Sequence, residues 1–579
     1  AWTLEKLAEL VLSGADAIRE APKERWEREA AGEASRWGGF VERLEEFDAA
    51  FFSLSPREAK AMDPQHRMLL ECAWEAVESG GRDPTSLREA NGATGVYVGV
   101  AGGDYGSRMG GASEAMEFAT TGVASSTAAG RISYVLGVTG TAVSIDTACS
   151  ASLVSLVYGM KSVERGEEEM ALCFGVQALC NVGTFLSFGK AGMLSVDGRC
   201  KTFDARANGY VRGEGCGALV VTRRESEQGE LGRLAGQAIN QDGRSNGLTA
   251  PNGPSQVKLI REALRVAGRE GREVSMLEAH GTGTSLGDPI EVQAVAEAMG
   301  QGRGRGAALV MGSAKTNFGH TETAAGVLGV LKVLVCLERG AIAQHLHMRE
   351  LNGYIGTGLM EGMSGVVPVA PENVEWSEAS RRVAGVSSFG FSGTNAHVVV
   401  EQGQRASRSA DEKGGAFVIR VSGKSEAAVR SLAQAYATWM AEEEGSVRAF
   451  AATSRKGRCA MGRVLRVKSE SKKEAARLLE NGSGNATAED EAREDGEEEG
   501  KGRVERMPSY AFERKEFWVA AEGGAMAAVQ AWGERFAMDE ERVAFQVDLR
   551  KVGWYAERDH VVFGEAVMPG AAHVSAVVE

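Results

Sequence analysis

Over residues 1 to about 400, short apolar runs alternate with stretches whose apolar positions recur every three or four residues, the layering pattern of an α/β fold. TAVSID, ending at Asp146, predicts a buried strand; ASLVSLVYGMKSVERG after it predicts a helix with Leu153, Leu156, Val157 and Met160 on one face. The order strand, loop, helix recurs where VSMLEAH enters GTGTSLGDPIEVQAVAEAM, and again where LVMGSAKTNFG leads through His320 into TETAAGVLGVLKVLVCLERG. Asp288, Pro289 and Glu291 predict the start of the second of these helices, as cap, first-turn proline and capping-box acid. A polar break at 401–415 ends the region. FVIRVSG with SEAAVRSLAQAYATWM, then RVLRVKS with ESKKEAARLLE, predict two strand-helix units of a small α/β domain at 416–480. Residues 481–506 carry few apolar side chains and dense acid, which predicts a disordered linker. The aromatic-rich PSYAFERKEFW, within 507–520, predicts a segment that docks onto a surface, and VAFQVDLR from Val543 alternates like a strand opening a further unit.

At 579 residues, 43% hydrophobic and 25% charged, the chain is globular material for roughly three or four domains. Its net charge of −14 argues against nucleic acid or an anionic membrane as partner. No apolar run reaches bilayer length, and no signal peptide is recognisable. Eight cysteines with no CxxC pair predict reduced thiols in a cytoplasmic protein, neither a disulfide scaffold nor a zinc ribbon, and no metal site.

Cys149 therefore falls at a strand-to-helix junction, where unpaired N–H groups and the helix dipole favour thiolate and can hold an oxyanion. Ala148, Ser150 and Ala151 leave room for a substrate. A buried structural thiol is the competing reading. His280 enters a tight Gly/Thr loop, and His320 precedes a helix N-terminus, where imidazolium is disfavoured and a neutral hydrogen-bond donor is expected. Lys315 would push the same way if near. For each histidine alone a core or capping role competes with catalysis, and His66, His345, His347 and His397 take that reading. Gly390, Gly393 and Asn395 suggest a tight turn near a site.

DTACSAS, EAHGTGTSLGDPIE, KTNFGHTETAAG and SSFGFSGTNAHVV, in this order, resemble the β-ketoacyl synthases of type I polyketide synthases. DPQHRMLLECAWEA, FDARANGYVRGEG and NQDGRSNGLTAPNGPSQ extend the resemblance over residues 1–400. It implies a thiolase fold, a five-layered αβαβα homodimer. Cys149 would accept an acyl chain from the phosphopantetheine of a partner acyl carrier protein, the synthase binding no cofactor of its own. His280 and His320 would stabilise the enolate formed as a malonyl group loses carbon dioxide. The backbone N–H groups of Cys149 and Phe391 would form the other oxyanion hole, with Phe391 gating the acyl pocket. Thr282 and Thr284 would contact the pantetheine arm, and Lys315 would organise His320. The family opens with an apolar strand before the segment matching Trp2, and that strand is not found here.

Residues 416–480 resemble the linker domain that follows such synthases, and PSYAFERKEFW resembles the motif that normally follows an acyltransferase. No acyltransferase sequence lies between them, and no GHSxG motif occurs, which implies an acyltransferase acting in trans. HVVFGEAVMPGA resembles the polyketide dehydratase signature, with His560 as base, on the first part of a hot-dog (α+β) fold at 521–579. The family's partner aspartate is absent, so no dehydration is expected. A transacylating, non-elongating synthase, a polyunsaturated fatty acid synthase module and a Cys/His hydrolase are the alternative readings. Arg199, Lys201 and Arg206 form a candidate carrier-docking cluster.

Overall fold

The computed structural model describes residues 3–26, 36–88, 93–108, 116–223, 230–303, 308–355, 366–367, 370–377, 381–403, 415–442, 445–488, 490–491 and 507–519, and the backbone of four short strands between 534 and 566.

Strands β1 (Thr94–Gly99), β2 (Ala142–Ile145), β3 (Met170–Gln177) and β4 (Gly215–Thr222) form a first sheet in the order β2-β1-β3-β4, with β4 antiparallel to the rest. The second sheet contains β5 (Gly232–Gln241), β6 (Met276–Glu278), β7 (Leu309–Gly312), β8 (Val366–Val367), β9 (Val383–Phe389) and β10 (Thr394–Gln402), in the order β8-β7-β6-β9-β10-β5. In order and direction, β1, β2, β3 and β4 correspond to β6, β7, β9 and β10, so the body is a structural duplication. On the outer side of β10 lies β5, paired antiparallel; among the described residues β4 has no such neighbour.

Helices complete five layers. α1 (Pro64–Ser79) and α2 (Ser125–Leu136) cover the outside of the first sheet, while α3 (Ala151–Arg165) and α6 (Ala325–Arg339) share one core between the sheets. α4 (Gly253–Ala267) and α5 (Gly287–Met299) cover the outside of the second sheet. The predicted face of α3 is buried, and so are Val154 and Ser155 on its other side, because the helix is sandwiched between the sheets along most of its length, with Tyr158 left exposed. A Cβ on Gly326 would lie 2.6 Å from that of Leu153, so glycine is what lets the two central helices cross this closely.

The small domain is β11 (Phe417–Gly423), α7 (Glu426–Glu442), α8 (Val447–Lys456), β12 (Arg463–Ser469) and α9 (Lys472–Glu480), with β11 and β12 antiparallel and α8 an element the sequence pattern did not predict. It extends beyond residue 480. Asn485 exchanges hydrogen bonds with Lys468 at 2.7 and 2.9 Å, and Glu491 is buried between Arg420 and Arg466 at 2.8 and 2.6 Å. The expected disordered linker is therefore structured as far as Glu491, because two guanidinium groups hold an acid that composition alone reads as solvated. Residues 492–506 lie outside the described residues.

PSYAFERKEFW docks as its aromatics imply. Lys515–Glu516 pair antiparallel with Glu46–Phe47, and Tyr510 and Phe512 pack on Phe51 at ring-centroid distances of 4.5 and 4.9 Å. Arg514 pairs with Glu71 at 2.8 Å, the Tyr510 N–H donates to Glu78 at 2.9 Å, and Arg67 donates to the Phe517 carbonyl.

The chain divides into two compact units, 1–107 with 111–518, and 108–110 with 519–579. In the second, Glu534–Ala537 pairs antiparallel with Val543–Gln546, and Val561–Val562 with Glu565–Ala566.

Candidate active site

Between β2 and α3 the chain turns through Ala148 at φ +55°, a left-handed conformation that is strained for alanine. Asp146 accepts the Ala148 N–H at 2.9 Å, and the buried Ser150 hydroxyl donates to the Thr147 carbonyl at 3.0 Å. From β9, Ser388 donates to the Cys149 carbonyl at 2.7 Å. Gly390 presses against the same turn: a Cβ there would fall 2.3 Å from the Thr147 carbonyl. Cys149 is half-buried as a residue but its sulfur is enclosed, and the N–H groups of Cys149 and Phe391 both hydrogen-bond that sulfur. Burial, and then the charge of Glu322, push the thiol up to about 12, against the pull of Lys315 and of the two N–H groups. Desolvation thus opposes the thiolate that the strand-to-helix junction favours.

His280 and His320 are brought together, with ring centroids 5.6 Å apart and planes at 85°. His280 Nδ1 accepts the Phe389 N–H at 3.3 Å, and His320 Nδ1 accepts the Glu322 N–H at 3.1 Å. With Nδ1 accepting, the proton of each neutral ring sits on Nε2. Burial first, and Lys315 second, hold both rings well below the ordinary histidine range. Lys315 is itself buried, which lowers its pKa, while Glu278 and Glu291 pull it back up. The His320 Nε2 is buried without a partner. Tyr210 lies edge-on to His320 at 5.1 Å.

Asp288 and Glu291 do not start helix α5, whose cap position is Leu286. Glu291 instead accepts the N–H groups of His280 and Gly281 at 2.7 and 2.8 Å, and Asp288 those of Phe203 and Gly283 at 2.8 and 3.1 Å. Burial raises them to about 7 and about 6. Thr282 and Thr284 sit half-buried on this loop with their hydroxyls 3.5 Å apart, and Thr284 also accepts the Gly287 N–H. Phe391, 43% exposed, lies on the turn closed by the Gly390 N–H to the Thr394 carbonyl at 2.8 Å.

The remaining histidines among the described residues are structural. His345 lies between Ser313 and Thr202, His397 bonds Ser387, His66 is buried in α1, and His347 approaches Asp16 at 3.5 Å. His560 lies outside the described residues. Arg199, Lys201 and Arg206 are each matched locally, by Asp16, Asp197 and Asp204 at 2.6, 2.6 and 2.7 Å. Those charges brace loops and leave little for a docking partner. Among the described residues no histidine, cysteine and carboxylate cluster could hold a metal.

A thiol held by two backbone donors, and a pair of neutral imidazoles packed on each other with Nδ1 of each accepting a backbone N–H, all at the strand ends of a duplicated αβαβα body, fit a condensing enzyme of the acyltransferase class. Residues 1–227 and 231–349 match the N- and C-terminal domains of beta-ketoacyl synthase, and 362–461 match the ketoacyl-synthetase C-terminal extension. The ketosynthase from module 6 of the bacillaene synthase of Bacillus subtilis 168 is 31% identical, with a TM-score of 0.79 over 90% of this chain and 97% of that one. An oxazolomycin ketosynthase domain of Streptomyces albus JA3453 gives 28% and 0.81, over 90% and 96%. The erythronolide synthase EryA3 of Saccharopolyspora erythraea is 45% identical over 76% of this chain, and the polyketide synthase GfsA of Streptomyces halstedii 46% over 71%. The chain spans only 14% and 6% of those two relatives. It belongs to the β-ketoacyl synthase family, as a ketosynthase of the modular polyketide synthase type with the thiolase-like fold.

Proposed function

We propose that this ketosynthase elongates acyl chains by decarboxylative condensation, with Cys149 as nucleophile and His280 and His320 as the enolate-stabilising donors. The Cys149 sulfur attacks an acyl thioester, whose carbonyl oxygen is held by the N–H groups of Cys149 and Phe391, and the thiol proton passes to the carrier sulfur as it departs as a thiol. The two Nε2–H groups then donate to the malonyl thioester oxygen as the carboxylate departs as carbon dioxide. The resulting enolate carbon attacks the acyl-Cys149 carbonyl, forming the carbon–carbon bond and releasing the Cys149 sulfur. Phosphopantetheine, borne by a partner acyl carrier protein, supplies the thioester linkage; the adjacent Thr282 and Thr284 hydroxyls suit its amides.

The carrying observation is the tautomer of both histidines. Nδ1 is occupied as acceptor on each ring, so Nε2 is a donor toward developing negative charge and cannot take the thiol proton. A Cys/His hydrolase needs the reverse. Intact-protein mass after incubation with a short acyl pantetheine thioester, and again after adding malonyl carrier protein, tests the reading. The acyl mass should appear only with Cys149 and leave as a ketoacyl chain on the carrier. An adduct that persists after the second addition would sink elongation and leave a transfer-only synthase.

A homodimer through the β2 edge is supported by the half-exposed Val143–Ile145 and by Tyr134, 87% exposed on the neighbouring α2. Light scattering giving the mass of one chain would count against it. An acyltransferase acting in trans is supported by the docked PSYAFERKEFW segment, the strap, which follows the small domain without an acyltransferase between them, and the purified chain loading malonyl groups unaided would refute it. The antiparallel hairpins of the second unit support reading 521–579 as the start of a dehydratase hot-dog. No helix among the described residues is long and apolar enough to cross a membrane.

A further inference from the structure

His320 is held by the segment that leads into β4. The His320 N–H donates to the Val211 carbonyl at 2.7 Å, and the Gly213 N–H donates to the His320 carbonyl at 2.8 Å. Between them Arg212, 3% exposed, reaches the carboxylate of Glu322 in a two-pronged pair, Nε to Oε1 at 2.5 Å and Nη2 to Oε2 at 2.9 Å. Its guanidinium lies over Phe185 and Phe188 at 4.6 and 5.3 Å, which fixes the plane of the fork. Glu322 stands at φ +42°, a left-handed backbone that a non-glycine residue keeps only when its surroundings impose it. That backbone aims the Glu322 N–H at His320 Nδ1.

We infer that Arg212 and Glu322 are a positioning pair that sets the tautomer of His320. The ion pair anchors the Glu322 side chain, the anchored side chain holds the left-handed turn, and the turn supplies the N–H that makes Nδ1 an acceptor and leaves the ring proton on Nε2. Without it, the Nδ1–H tautomer becomes available, and Nε2 would present a lone pair to an enolate oxygen. The inference rests on the reading of His320 as an enolate donor. It also separates the two half-reactions. Glu322 raises the Cys149 pKa, so loss of its charge favours acylation while impairing decarboxylation.

The test compares Glu322→Ala, Glu322→Gln, Arg212→Lys and His320→Ala in the full chain, each checked for an unchanged melting transition. Cys149 acylation is followed by intact mass, malonyl decarboxylation by carbon dioxide release, and the His320 tautomer by nitrogen-15 NMR of histidine-labelled protein, assigned against His320→Ala. Decarboxylation should fall about 10- to 100-fold in Glu322→Ala, the range typical of losing a group that orients a reacting ligand. Acylation should hold or rise, and His320 should show a mixed or Nδ1–H tautomer. Arg212→Lys should recover part of the loss. Equal loss of acylation and decarboxylation, or an unchanged tautomer in Glu322→Ala, overturns the positioning role. If His320→Ala leaves decarboxylation intact, the donor reading itself fails, and the inference with it.

Discussion

In the first half of the condensing body, β2 ends in a turn that presents one thiol; in the second, β6 and β7, the counterparts of β1 and β2, end in loops that each present a histidine. The Cys149 turn is held by hydroxyls, a strained alanine and close backbone packing, with Asp146 its one charged brace. Buried charge holds the histidine loops: Glu291 and Asp288 beneath the first, Lys315 beside both, and Lys332 paired with Glu278 at 2.7 Å behind them. One architecture thus braces the nucleophile's turn mainly with hydroxyls and backbone contacts, and the loops of the electrophilic donors with buried charge. The edges differ as well, since β7 is flanked by β8 whereas among the described residues β2 has no outer neighbour.

The sharpest way to break this division is Cys149→Ala. It should abolish the acyl adduct and lower condensation more than about 10⁴-fold in a product assay, as loss of a nucleophile does. Residual turnover within about 100-fold would place the nucleophile elsewhere. Next in size is pH. With the thiol near 12 in the resting site, the thiolate fraction, and with it the acylation rate, should rise about tenfold per pH unit from 7 to 10. A flat profile would mean a preformed thiolate. On pre-acylated protein, elongation should stay constant from pH 7 down to 5, because both histidines titrate well below 6.5.

Glu291 probes the charged half. Its folded pKa of about 7 stands above the ordinary 4.5, so the stability it contributes is complete below 4.5 and is lost as pH rises through 7. Between pH 4.5 and 8, denaturation midpoints should show the wild type losing about 3 kcal/mol relative to Glu291→Gln. Parallel curves would show that the loop's N–H groups outweigh desolvation. The smallest effect is expected at the strap, which sits on the first half. Tyr510→Ala should cost about 2 kcal/mol of thermal stability by emptying a largely buried aromatic site, with elongation per folded molecule unchanged. A loss of elongation with no shift in melting would tie the strap to catalysis instead.

The strand-to-helix junction at Cys149, the glycine turns and the aromatic strap were legible because each is written in a few consecutive residues. Apolar periodicity indicated α/β layering, and the five layers followed from the motif resemblance alone. Interactions that cross the chain were not legible. Arg212 meets Glu322 across 110 residues, and Ser388 reaches the Cys149 carbonyl across 239. Asp288 and Glu291 did carry a signal, as acids at a helix start. It misled because the helix begins one residue ahead of Asp288 and both carboxylates turn back to the loop they follow. The desolvation of Cys149 was not legible for a related reason: local pattern reveals the dipole, while burial is set by the assembled fold. Glu491 shows the same limit, an acid in an acidic run that two distant arginines hold inside the small domain.

The central claim is that the first half takes up the acyl chain and the second half drives carbon–carbon bond formation. It is tested most directly by single-turnover elongation of acyl-Cys149 protein with malonyl carrier protein, comparing wild type with His280→Ala and His320→Ala. The account predicts unchanged acylation in both variants and elongation lowered about 10²- to 10³-fold, the usual loss for one oxyanion donor. Elongation that survives in both, or acylation that fails together with it, would contradict the division.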